Sequence, residues 1–380
     1  MKINENKLRE KSIKVLKEQG FIFNPHLKPN GNEKDVLRKI HHVKRIEQIN
    51  MHKNFLINNF PIIQEFLING WELEPENIDL ELIEIKTYKQ FESKIFLWWN
   101  LIWWSLPYTK PIGRQIRFLL WDRYYDAPFG LIGLQSPPLR SSVRDEYLGL
   151  SDRKDHRWIN QSMYGHRIGA LPPYNDLLGS KMVALTLTSN EIREIYSEKY
   201  KNKRTLLNNE ILPNRLLYLT TTSAYGKSSV YERLKYNDER VSEFMGFTSG
   251  YGTFHIPQTL YNDLLEYLDS QGIDTKRGYG TGPSRKLDLI KKAFRCLKIP
   301  NYIFHNVNRG CYLFSNVQNL YKVMHENKKP IWYDRPFNKL EAFWKKRWCI
   351  PRSNRINSWQ CFNKNNFFNI VEKELNIVNN

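Results

Sequence analysis

Two apolar runs, IRFLLWD (116–122) and FGLIGLQ (129–135), flank the turn-like RYYDAP, and together they read as a β-hairpin. The second run looks like a buried strand. The second strand breaks at Ser136, Pro137 and Pro138 and runs into a knot of opposite charges: Arg140, Arg144, Asp145, Glu146 and Asp152. The knot is either a solvated loop or the rim of a site.

Residues 5–20 and 33–58 read as helices, a third helix follows Pro61, and WELEPENIDLELIEIKT holds a strand after Pro75. The aromatic cluster FLWWNLIWW (96–104) reads as core packing and is too short to span a bilayer. Downstream, 153–164 reads as helix and HRIGALP (166–172) as strand. NDLLGSKMVALTL (175–187) reads as a helix capped by Asn175 or Asp176, and NEIREIYSEKY as another. RLLYLTTT (215–222) is a strand, KSSVYERLKY a helix and SEFMGFTS a strand. Helices at 259–269, in RKLDLIKKAFRCL and near 316–326 enclose the strand NRGCYLF. The last twenty residues read as a loosely held, Asn-rich tail. Alternating strands and helices make the fold class α/β (α+β). The divisions are a helical N-terminal region with an acidic neck (1–92), a mixed-sheet core (93–258), a basic C-terminal α/β extension (259–352) and the tail (353–380).

The charge narrows the partners. The formal net charge is +19, and residues 276–352 alone hold 18 Lys+Arg against 4 Asp+Glu. Residues 1–54 add 13 basic groups against 6 acidic ones. A localised excess of this kind suits a polyanion, nucleic acid before any acidic membrane. In the basic third, Lys276, Arg277, Arg285, Lys286, Lys291, Lys292, Arg309, Lys345, Lys346, Arg347 and Arg352 interleave with Tyr279, Tyr312, Trp344 and Trp348. Cations to track phosphates and rings to stack bases are what nucleic-acid binding needs. No helix-turn-helix, zinc finger or RNP signature accompanies them. Cys296, Cys311, Cys349 and Cys361 form no CxxC pair, and with a polar start (MKINENKLREKS) they suit free thiols in a reducing, cytoplasmic setting.

Three constellations could carry chemistry. In HRIGALPPYNDLLGSK a strand feeds a helix start, where free N–H groups can hold phosphate or carboxylate, and Gly179 and Ser180 lie in the first turn. In the charged knot, Arg144 suits a bidentate phosphate clamp, and Asp145, Asp152 and Asp155 are candidate ligands for a divalent cation, Mg²⁺ if the chain is an enzyme. In TTTSAYGKSSVYERLKY, the hydroxyls of Thr220, Thr221 and Thr222 end a strand, and Tyr225 and Tyr231 are candidate acids or stacking platforms.

The order hairpin, strand, loop, helix, strand, helix, strand resembles the GNAT acyltransferase fold, whose pyrophosphate loop is rich in glycine; NDLLGSK has one glycine. GRQIRFLLWD, GLIGLQSP, VRDEYLGLSD, HRIGALP, LGSKMVALTL and FMGFTSGYGTFHIP, in that order, resemble the Druantia A (DruA) family. GYGTGPSRKLDLIKKAFRCL, NRGCYLF and FWKKRW extend the match from about residue 113 to 352. The resemblance implies a component of a bacterial anti-phage defence operon that acts on or senses foreign nucleic acid, DNA foremost, beside other subunits such as a helicase. It singles out Arg144, Asp145, Arg167, Ser180, Thr248 and Gly250 as motif positions, with Tyr251 and Thr253 where family members carry charge. The candidate catalytic set is Asp145, Arg144, Arg167, Ser180, Thr221 and Tyr231. A DNA-binding subunit, a metal-dependent nuclease or transposase-like enzyme, and a GNAT-type transferase are the three readings carried forward.

Overall fold

A computed structural model describes residues 4–23, 27–31, 34–104, 106–150, 156–206, 208–250, 256–275, 284–299 and 304–375. In chain order, α1 (Glu5–Glu18), α2 (Lys34–Met51) and α3 (Lys53–Glu65) precede strand β1 (Leu80–Glu84) and α4 (Phe91–Ile102). The hairpin strands β2 (Gln115–Asp122) and β3 (Ala127–Gln135) lead through α5 (Ser142–Tyr147) to β4 (Ser162–Ala170). Then come α6 (Gly179–Thr186), α7 (Asn190–Lys199), β5 (Tyr218–Thr222) and β6 (Glu243–Phe247). The remaining elements are α8 (Gln258–Ser270), α9 (Ser284–Cys296), β7 (Gly310–Ser315), α10 (Phe337–Trp344) and α11 (Lys364–Leu375).

The chain divides into two compact units. The smaller gathers residues 1–51, 105–108 and 248–309; the larger gathers 52–104, 109–247 and 310–380.

The larger unit is built on a seven-stranded mixed sheet in the order β6-β7-β5-β4-β3-β2-β1. The hairpin is antiparallel and interior, with Gln115 opposite Gln135 and Leu119 opposite Leu131, as its two continuous apolar runs require. Strand β4 is parallel to β5, with Gly165 opposite Thr221, and the other neighbours are antiparallel. Ile116, Phe118, Leu120, Ile132 and Leu134 enter one core with Met182, Val183, Leu185 and Trp344. The aromatic cluster is core, as its composition suggests. Trp98 and Trp99 on α4 are fully buried, and Trp99 stacks on Phe367 with centroids 5.4 Å apart.

Several local expectations are corrected. The tail is not loose as far as Leu375: in α11 Phe367, Phe368 and Val371 recur at helical spacing, with Phe368 packed on Phe60, Trp98 and Phe367, and Val371 is buried; 376–380 lie outside the described residues. The described part of the expected helix 153–164, from 156 on, is not helical as expected. It offers one 3₁₀ turn (Ile159–Gln161) before β4 begins at Ser162, and 151–155 lie outside the described residues. The helix expected over 33–58 ends at Met51, and no helix starts at Pro61, which lies inside α3. There the buried stripe Leu56, Phe60, Ile63 outweighs the one backbone hydrogen bond that a proline forfeits. KSSVYERLKY gives a single helical turn, Ser229–Glu232. It then enters a small hairpin, because Asn237 and Asp238 both take positive φ, the tight two-residue turn such residues favour. Asn175 and Asp176 do not cap α6; its cap is Leu178 at φ 60°, and both polar residues sit in the turns before it.

Candidate nucleic-acid interface

Within the charged knot Arg144 forms a buried clamp, while Arg140 and Glu146 are exposed. Arg144 is only 2% exposed. Its Nη1 donates to Pro138 O (2.6 Å), its Nη2 to Leu139 O (3.2 Å) and its Nε to Asp145 Oδ1 (2.8 Å). Asp145 Oδ2 in turn accepts from Ser141 N at 3.0 Å, tying the start of α5. A charge can be buried when every donor finds an acceptor, and the two prolines hold the carbonyls in place to receive this one. Both oxygens of Asp145 are thus engaged in holding the loop. Among the described residues no group of three His, Cys, Asp or Glu is placed to hold a metal. Asp152 and Asp155 lie outside the described residues.

The strand-loop-helix between β4 and α6 is filled. Ser180 Oγ accepts from Ala170 N (3.2 Å), and a Cβ on Gly179 would stand 2.7 Å from Tyr174 O. Trp344 Nε1 donates to Leu178 O (3.1 Å), and Arg352 Nε donates to Asp176 O. Lys181, in the first turn of α6, points Nζ at Arg233 O (3.3 Å) and over the Trp348 ring (4.8 Å). Burial, with Arg233 and Arg347 nearby, lowers its pKa to about 8. The backbone that could cradle a phosphate is covered by the chain itself. This corrects the placing of Trp344 on a stacking surface: it is fully buried, edge-on to Phe129 at 5.3 Å, and the bulk of the ring favours the core.

At the parallel junction, Thr221 Oγ1 donates to Gly165 O (2.7 Å), and Tyr164 and Thr222 share a hydroxyl hydrogen bond of 2.7 Å. Tyr231 packs on Tyr312 and Phe314, and burial raises its pKa well above the ordinary tyrosine value. At neutral pH it keeps its proton, which rules out a phenolate there. Tyr225 is also buried. Arg167 is buried with its guanidinium 5.1 Å from the Trp104 ring centre.

The basic third is divided between the two units. Lys345, Lys346, Arg347 and Trp348 belong to the larger unit, while 284–309 belong to the smaller. Lys345 is paired with Glu341 (3.3 Å), whereas Lys346 and Arg347 are exposed. In the smaller unit Lys292 pairs with Asp288 (3.0 Å), Arg285 donates to Thr275 O (2.6 Å), and Lys286 lies over the Tyr261 ring (4.4 Å). Lys291 is half-buried, and Lys276, Arg277, Tyr251 and Thr253 lie outside the described residues. Thr248 Oγ1 accepts from Arg309 N (3.0 Å), and Gly250 O receives His305 N (2.9 Å).

That last pair leads to a cluster the sequence reading missed. Arg309 Nη2 stands 3.2 Å from His41 Nε2. His41 is held down to about 3 by burial, then by Arg309, Lys44 and His305. His305 is held down to about 4 by burial and Arg309. The Lys44 pKa is lowered by burial, Lys286 and Arg309, while Glu47 alone pulls Lys286 the other way. Burial first, and then the neighbouring cations, keep both histidines neutral, and the positive charge of the group favours an incoming anion. On the same α2 helix Arg38, Lys39, His42 and Arg45 line a cavity of about 190 Å³. The smaller unit carries 21 Lys+Arg against 11 Asp+Glu, a net of +10, while the larger, more than twice as long, carries +9. The signal was available in RKIHHVKR (38–45), but only the fold brings it beside Arg309.

Comparison with known proteins gives a consistent relationship. A family model described as "Druantia protein DruA" matches residues 31–326. The chain is 28% identical over 379 residues to the Druantia protein DruA of Escherichia coli (strain UMEA 4076-1), covering 98% of this chain and 93% of the relative. No solved structure matches. Among the described residues no helix is long and apolar enough to cross a membrane.

Proposed function

Because this chain belongs to the Druantia protein DruA family, we propose that it is the nucleic-acid-binding member of a multi-protein anti-phage defence system, gripping DNA phosphates through its smaller unit. The observation that carries this reading is the grouping of Lys44, Lys286, Arg309, His41 and His305, where cations face one another and Glu47 offsets Lys286. Like charges held together cost stability in the free protein, and a phosphate backbone relieves that cost. Backbone contacts of this type give affinity without base readout. The other subunits, a helicase among the candidates, would then supply the motor.

We read the large sheet as GNAT-like. In chain order its strands run 1-2-3-4-5-7-6 across the sheet, with one parallel pair at 4 and 5. The crevice at that junction is where such sheets take ligands. The cover provided by Trp344 and Arg352 over the loop before α6 argues against acyl-CoA there. The test is a DNA-binding titration of Lys44→Gln/Arg309→Gln against the unmodified chain. The proposal expects an equal loss on unrelated DNA sequences; unchanged affinity would overturn it.

A further inference from the structure

The larger unit contains a second polar cluster, separate from the DNA-binding reading and not dependent on it. Arg117 on β2, Gly133 on β3 and Arg167 on β4 stand in one row across the sheet. The register slips after Gly133, leaving His166 as the extra residue of a bulge beside Arg167. Gly133 makes room for it: a Cβ there would stand 2.6 Å from His166 Nε2 and 3.1 Å from Arg167 Cβ. The row faces α4. Arg117 Nη1 donates to Ser93 Oγ (3.1 Å) and its guanidinium lies over Phe96 (6.0 Å), while Arg167 lies over Trp104.

Ser93, Phe96 and Asn100 follow one stripe of α4, and Trp104 lies just beyond its C-cap Trp103, so Asn100 falls between the residues that meet Arg117 and the one that meets Arg167. The step from Phe96 to Asn100 rises about 6 Å, close to one strand spacing of about 4.8 Å, which sets Asn100 opposite the middle of the row, beside Gly133 and His166. Asn100 is 1% exposed, yet neither its Nδ2 nor its Oδ1 has a hydrogen-bond partner, and His166 Nε2 has none either. Burial, then Arg167 and Arg117, holds His166 near pKa 3, so its ring is neutral. A buried amide left without partners is costly, and a ligand that satisfied it would recover that cost. At the rim, the exposed Tyr88 ring lies 4.5 Å from the Arg117 guanidinium.

We propose that Arg117, His166, Arg167 and Asn100 form a seat between α4 and the sheet for a small oxyanion, a phosphate or carboxylate group. The two guanidiniums supply positive charge; the amide supplies a donor to the anion and an acceptor to its proton or to a bound water. Tyr88 stands at the mouth as the entry ring.

The test is thermal unfolding of the full chain with inorganic phosphate, AMP or acetate, each against chloride at equal ionic strength. Phosphate or acetate is expected to raise Tm by about 5 °C or more at roughly a hundredfold over its Kd. Whichever anion acts at lower concentration names the source, and AMP exceeding phosphate places a nucleoside at Tyr88. Asn100→Leu is expected to melt no lower than the unmodified chain without anion, and with Arg167→Met to lose the anion-specific rise. Lys44→Gln/Arg309→Gln should keep it. No anion-specific rise, or a rise that survives in both Asn100→Leu and Arg167→Met, would overturn the proposal.

Discussion

Replacing Arg144 by Met tests whether the charged knot is a clamp or a catalytic group. The change keeps most of the stem and removes every donor. Pro138 O and Leu139 O then lose their partners, and Asp145 loses the guanidinium 2.6 Å from its Oδ1. Breaking a buried pair by removing one partner typically costs about 3–5 kcal/mol. Asp145 is 26% exposed, so water recovers part of its solvation, and about 2–3 kcal/mol is the discounted expectation. With an unfolding entropy of about 2.1 cal/mol/K per residue, that corresponds to a fall in the Tm of the larger unit of about 4–5 °C. The assay is thermal unfolding by circular dichroism, alongside DNA binding measured well below the lowered Tm. DNA affinity should be unchanged. A Tm within a degree of the unmodified protein, together with lost activity or binding, would refute the clamp and return Arg144 and Asp145 to the site.

Other consequences follow from the same geometry. Trp344→Ala should destabilise the larger unit by about 3–5 kcal/mol in urea unfolding, while leaving DNA affinity of the folded protein intact. Tyr231→Phe should leave the pH profile of any activity unchanged, because the hydroxyl does not ionise in the working range. His41 and His305 have folded pKa values depressed from 6.5 to about 3 and about 4. Their neutral forms are therefore fully compatible with folding above about pH 6.5. Below it the unfolded chain binds more protons, so stability falls from pH 6.5 towards 4; urea titrations at pH 7.5 and 5.0 measure the loss. Phosphate binding should reverse this by favouring protonation, so DNA affinity should rise as pH falls across the same window, with Arg309→Gln blunting the effect.

Much of the sheet was legible because its signals are local. The runs of 116–122 and 129–135 need nothing beyond their own composition to be strands, and the later strands alternate with helices as an α/β unit requires. What failed depended on distant partners. The start of β4, Ser162 to His166, has one aliphatic side chain, Met163, and no apolar run of its own; it is strand where β3 and β5 flank it. Trp344 looked like a surface ring beside lysines, but a helix places it against Phe129, more than two hundred residues away. Arg144 and Asp145 were visible as a pair, yet their role is fixed by carbonyls that sequence does not position. The cationic grouping was half legible: Arg309 was singled out, whereas His41 and Lys44 reach it only through the packing of the smaller unit.

The most direct test of the central claim is fluorescence anisotropy of single- and double-stranded DNA across a salt series, comparing the unmodified chain with Lys44→Gln/Arg309→Gln. The account predicts sequence-independent affinity that falls linearly on a log–log plot, with the slope shallower in the double variant by about 2 phosphate contacts, near 0.9 each for duplex and 0.7 for single strands. Weak binding already at low salt, or an identical slope in the two proteins, would contradict it.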